Sequence, residues 1–148
     1  MPLDLRSPDL AMSLALDPYA PRAARYHVAQ VDRPSPDLRD AVVLLTSELV
    51  THAVAHGERA GETLELRAWM PADVVRVELR APRRSLHLAD DEDYAREYSL
   101  LLLDELADRW SLDESGRQAC MWFEIDRHAH APDEHGTSGG VRASSLAS

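Results

Sequence analysis

An α+β sandwich in two layers, with helices on one face of a mostly antiparallel sheet, is the fold class this sequence predicts. Three patterns carry the prediction. Leu38, Val42, Leu45, Leu49 and Ala53 recur at helical spacing and stop at Gly57. Thr63 to Trp69 and Val74 to Leu79 alternate, with apolar residues at every second position and Glu or Arg between them. That is the period of a half-buried strand. Later comes a leucine-rich run, Arg96 to Ala107, followed by two short strand-like segments.

Taken in order, Met12 to Leu16 reads as a first strand, broken by Asp17 and Pro18. Pro21 suits the first turn of a helix running to Val31. Pro34 and Pro36 mark a turn, and Ser35 reads as the N-cap of the long helix. The two alternating strands join through a turn at Pro71 to Asp73. Ala81 to Tyr94 reads as a polar loop, with an acidic run from Asp90 to Asp93. The leucine helix then leads to strands at Trp110 to Leu112 and Ala119 to Ile125, with a turn at Glu114 to Gly116. Residues 1–11 read as a flexible leader, 12–126 as one domain, and 127–148 as a disordered tail rich in Gly, Ser, Ala and His.

The chain has 148 residues and a formal net charge of −10. That size allows one domain with a real core. The acidic balance argues against nucleic-acid binding, which needs clustered positive charge. All 16 basic residues are arginine, so a P-loop lysine and a Schiff-base lysine are both excluded. Cys120 is the one cysteine, sits in an apolar run, and reads as a buried small hydrophobe. The apolar runs Ala41 to Leu45 and Ala119 to Phe123 are too short to cross a bilayer. Met1 to Leu10 has no apolar signal segment, so a reducing, cytoplasmic setting is the expectation.

Ser47-Glu48-Leu49-Val50-Thr51-His52-Ala53-Val54-Ala55-His56-Gly57 resembles the N-box helix of the GHKL ATPase superfamily. The nearest pattern is that of the actinobacterial, RsbW-like anti-sigma-factor serine kinases, roughly Glu-Leu-Val-Thr-Asn-Ala-Val-x-His-Gly. Leu100 to Trp110 and Met121-Trp122-Phe123-Glu124-Ile125 agree with the same family. The resemblance spans about Leu14 to Asp126 and implies the Bergerat-type ATPase fold. It implies a Mg-ATP clamp as well. Glu48 would be the catalytic base toward a serine hydroxyl, and His52 stands where the family has the Mg²⁺-holding Asn. His56 keeps the family's His. The adenine-reading Asp would fall near Ala81, and the lid's Gly-x-Gly would fall on Glu97-Tyr98-Ser99.

At these positions the chain departs from the family. Imidazole is a poor Mg²⁺ ligand, and the sequence has no asparagine. The Ala81 side chain cannot accept from an adenine amino group. No glycine lies between Gly61 and Gly116, where a backbone approaching phosphate would use one. Phosphoryl transfer depends on positioning and charge neutralisation, so these losses weaken or abolish it.

The resemblance therefore implies an anti-sigma-factor-type regulator with weakened or lost ATP binding. Its partners would be a sigma factor, a STAS-type anti-anti-sigma protein, or a second copy of itself, with no membrane and no nucleic acid. The alternative is a nucleotide-free protein-interaction module on the same fold. A third reading, a metal-dependent hydrolase, would use Glu48, His52 and His56, which share a helix face. Three ligands over two helical turns span more than one ion normally reaches, so no metal ligands are assigned.

The remaining candidates have plainer readings. Asp104, Glu105 and Asp108 read as a solvated face and helix end, and Asp90 to Asp93 as a mobile loop in place of the lid. His128, His130 and His135 read as solvated tail, and Trp69, Trp110 and Trp122 as core or sheet-face anchors.

Overall fold

The structure is a computed structural model and describes residues 5–31, 36–57, 61–86 and 94–127, with backbone alone at 36 and 94–97. The described elements run β1 (Leu10–Ala15), α1 (Ala20–Val31), α2 (Pro36–His56), β2 (Thr63–Trp69), β3 (Val74–Pro82), a short 3-10 turn (Arg83–Leu86), α3 (Tyr94–Leu106), β4 (Arg109–Asp113) and β5 (Gln118–Asp126). The strands form one sheet in the order β1-β2-β3-β5-β4, and every described pairing is antiparallel. The architecture is α+β.

Alternation along the strands makes the layers. Leu64, Leu66 and Ala68 of β2, Val75, Val77, Leu79 and Ala81 of β3, and Ala119, Met121, Phe123 and Ile125 of β5 are all buried. They share one sheet face, because successive side chains of a strand point to opposite sides. Leu38, Val42, Leu45, Leu49 and Ala53 of α2 join them in one core with Ala24 and Val28 of α1 and Leu103 of α3. Each large aliphatic side chain buried this way contributes roughly 1.5–3 kcal/mol.

Local chemistry sets the element ends. Asp17 Oδ1 accepts from the Tyr19 N–H at 2.9 Å, and the Ala20 N–H donates to Asp17 O at 3.0 Å. These turns start α1, with Pro21 in its first turn. α2 ends at His56, just before Gly57. The positive φ in this region belongs instead to Gly61, at 89°.

Four sequence expectations are corrected. The first strand starts at Leu10, not Met12, because the Asp9 N–H bonds Ala68 O and Asp9 Oδ2 accepts from the Met70 N–H. Ala81 is not the start of a polar loop. β3 continues to Pro82 because β5 pairs it along its whole length, Ala81 opposite Ala119 and Pro82 opposite Gln118. Residues 83–86 form a 3-10 turn that buries Ser85 and Leu86. The leucine helix starts at Tyr94, two residues before the expected Arg96. Arg127, expected to open the disordered tail, is tied down: its guanidinium donates to Pro71 O and Met70 O. Ser35, Asp90 to Asp93 and the tail histidines lie outside the described residues.

Candidate functional site

α2 positions the N-box-like residues. Glu48 is half-buried, Thr51 is exposed, and His52 is 3 % exposed. The hydroxyls around Glu48 are turned onto their own helix. Ser47 Oγ donates to Leu44 O at 3.1 Å, and Thr51 Oγ1 donates to Ser47 O at 2.7 Å.

The two histidines form a unit. Their rings stack with centroids 4.2 Å apart and planes 25° from parallel. His56 Nδ1 lies 2.9 Å from His52 O. A carbonyl can only accept, so Nδ1 carries the hydrogen, and the lone pair of a neutral His56 ring sits on Nε2. His52 is therefore packed inward against its neighbour, rather than held out as a cation ligand. Among the described residues no three His, Cys, Asp or Glu side chains gather as a metal-holding group. Glu48, His52 and His56 share a helix but do not converge.

The other residues singled out by the sequence resemblance are scattered among structural roles. Ala81 is buried in the sheet core. Glu97, Tyr98 and Ser99 are all helical, within α3. Beyond the first turn, the N–H groups of Tyr98 and Ser99 belong to the helical ladder and cannot cradle a phosphate. Ser99 is buried, whereas Tyr98 is exposed. Asp104 Oδ1 accepts from Trp110 Nε1 at 3.2 Å, and Asp108 Oδ2 from the Asp126 N–H at 2.7 Å. These two acids tie α3 and the turn after it to the sheet, while Glu105 is exposed.

An open cleft of about 650 Å³ is lined by Asp9, Gln30, Val31, Met70, Pro71, Ala72 and Arg127. None of Glu48, His52, His56, Ala81, Tyr98 and Ser99 lines it. Its charged groups already serve the backbone, Arg127 on Pro71 O and Asp9 on the Met70 N–H.

The outer sheet face holds a constellation that sequence reasoning missed. Register aligns Trp69, Arg76, Glu124 and Arg109 in one row across four strands. The Arg76 guanidinium lies over the Trp122 ring, 4.2 Å from its centroid, and 5.9 Å from that of Trp69. Glu124 accepts from Arg76 at 2.9 Å and from Arg109 at 2.8 Å, and Arg109 also pairs with Asp126. Hydrogen bonding to Asp126 raises the Arg109 pKa further, so the guanidinium is permanently charged. Trp69 and Trp122 at the polar positions of the alternation were the available signal. Trp110, by contrast, packs in the core. Cys120 is also on this outer face, half-buried, and not a core residue as expected from its apolar run. Burial pushes its thiol pKa up, although Arg80 nearby pulls the other way.

Comparison with known proteins finds no matching family model and no matching curated relative. Among the described residues, no helix is long and apolar enough to cross a membrane.

Proposed function

We propose that this chain is a regulatory docking protein of the anti-sigma-factor type. Its scaffold would resemble that of the GHKL-type, ATP-binding serine/threonine kinases of partner-switching systems, with ATP and Mg²⁺ binding weakened or lost. Its partners would be a sigma factor or a STAS-type anti-anti-sigma protein, in the cytoplasm. A homodimer is compatible with that role.

The observation that carries the reading is the state of His52. The residue at the Mg²⁺ position is buried and stacked on His56. Glu48 would then lack the metal beside which a base acts. Ala81 in the core and Tyr98 and Ser99 inside a helix support the same conclusion. The nucleotide-free interaction module, on the same fold, is the form of the proposal these positions favour. A metal-dependent hydrolase has no such support.

Calorimetric titration with ATP and ADP, each with and without Mg²⁺, tests it. The expected result is no binding at millimolar nucleotide, and none created by His52→Asn alone. Micromolar, Mg²⁺-dependent binding would sink the reading and restore a kinase with Glu48 as its base.

A further inference from the structure

The cleft at the end of α1 lies at the other end of β3 from Ala81. Ala72 precedes that strand and Ala81 nearly closes it, about 30 Å away along an extended chain. Its walls come from both layers. Gln30 and Val31 are the last residues of α1, and Met70, Pro71 and Ala72 lie between β2 and β3. Val31, Met70, Pro71 and Ala72 give it an apolar floor. Its volume of about 650 Å³ falls within the range of about 300–1,000 Å³ where small-molecule sites lie.

Three charge features meet over that floor. Asp9 Oδ2 accepts from the Met70 N–H at 2.6 Å, and the other carboxylate oxygen takes no part in that bond. Arg127 Nη2 donates to Met70 O at 3.3 Å, and its Nε donates to Pro71 O at 2.6 Å. A guanidinium has five N–H donors, more than two carbonyls can take up. A carboxylate and a guanidinium are thus anchored on one residue, Met70, at its N–H and at its C=O. Bonds to neutral main-chain groups hold these side chains in place and leave their charges intact. The third feature is the end of α1 itself. Its last turn has no basic residue, so the helix does not offset its own negative end.

We propose that this cleft binds a free α-amino acid with an apolar side chain. The ammonium lies between Asp9 and the carbonyl end of α1, the carboxylate on Arg127, and the side chain on Val31, Met70, Pro71 and Ala72. The two signs of charge select the ligand class. A lone cation meets Arg127, and a lone anion meets Asp9 and the helix end, whereas a zwitterion answers both. A ligand held there ties α1 to the sheet and raises the thermal midpoint of the folded chain. The inference does not rest on the proposed function.

Calorimetric titration of the full 148-residue chain with L-leucine, L-methionine, L-valine and L-phenylalanine is the test. At least one should bind with a Kd of about 1 mM or tighter. Two analogues of the tightest binder each drop one charged group (for leucine, isopentylamine and 4-methylpentanoate). Each should bind about tenfold or more weakly. Asp9→Asn keeps an acceptor for the Met70 N–H and removes the charge. It should cost the same factor, with an unchanged circular dichroism spectrum. Should that variant misfold, Arg127→Gln removes the opposite charge, and the same loss is expected. A Kd weaker than about 1 mM for all four amino acids overturns the inference. So does a smaller loss for either analogue or for a folded variant, since that would take the paired charges out of the recognition.

Discussion

Removing Glu124 tests whether the outer-face ion row stabilises the fold. Glu124 joins Arg76 at 2.9 Å and Arg109 at 2.8 Å. The Arg76 and Glu124 side chains are only 12 % and 16 % exposed, so this is a nearly dry pair. Losing a charged hydrogen bond there costs about 2 kcal/mol, even though Arg76 keeps Glu78 at 3.4 Å. Arg109 is far more exposed and keeps Asp126, so its share is about 0.5 kcal/mol. Glu124→Ala should therefore destabilise the protein by about 2.5 kcal/mol at neutral pH. Glu65→Ala is the control, being on the same face with its side chain 47 % exposed in the pair with Arg67. It should cost under about 0.5 kcal/mol beyond strand propensity. Urea unfolding followed by circular dichroism measures both, with equal slopes required before the midpoints are compared. A difference between the variants of less than about 1 kcal/mol would refute the claim that burial makes this row count.

Gly61→Ala should cost about 1 kcal/mol in urea unfolding. Its φ is 89° and an added Cβ meets no atom within 4 Å, so the loss is conformational, not steric. Leu45→Ala should cost about 3 kcal/mol by the same assay, because Leu45 is fully buried in the α2 stripe. Cys120 should react with a thiol reagent at pH 8 about tenfold or more slowly than in the urea-unfolded chain. Its folded pKa is raised, so the folded state holds the proton where the unfolded thiol would begin to lose it. The stability this gives is present below the unfolded pKa and fades as pH rises through the folded one.

Where one face of a strand is buried, the sequence announces it. The Thr63 to Trp69 alternation matches β2 residue for residue. The apolar spacing from Leu38 likewise lies wholly within α2. Ends were harder to read. Pro82 is the last residue of β3 and not a break before it, because a terminal strand position tolerates a missing N–H and β5 supplies the partner. Small residues announce little either: Ala11 and Ala15 belong to a strand whose other face, through Leu14, is what fixes it.

The site residues divide along the same physical line. That Glu48, His52 and His56 share a face follows from helical spacing, and the stacking of the last two is what i and i+4 rings can do. Which ring turns inward is decided by neighbours from other elements, and local spacing does not encode it. The row Trp69, Arg76, Glu124 and Arg109 is still less local, since it needs the register of four strands, one of them inserted between two others out of chain order. Its residues nonetheless leave a trace. A solvated strand face needs no tryptophan, so Trp69 and Trp122 at polar positions mean that something there must be covered. Arg76 covers part of it, and in turn takes Glu124 and Glu78 as acceptors. The charge row is thus a consequence of the tryptophans, and Trp122→Ala should loosen Arg76 before it disturbs the helical layer. Faster solvent exchange of the Arg76 side-chain protons, with amide protection in α2 unchanged, is the expected NMR signature. Equal loss of protection in both places would mean that the tryptophan supports the whole sheet, and not the charge row alone.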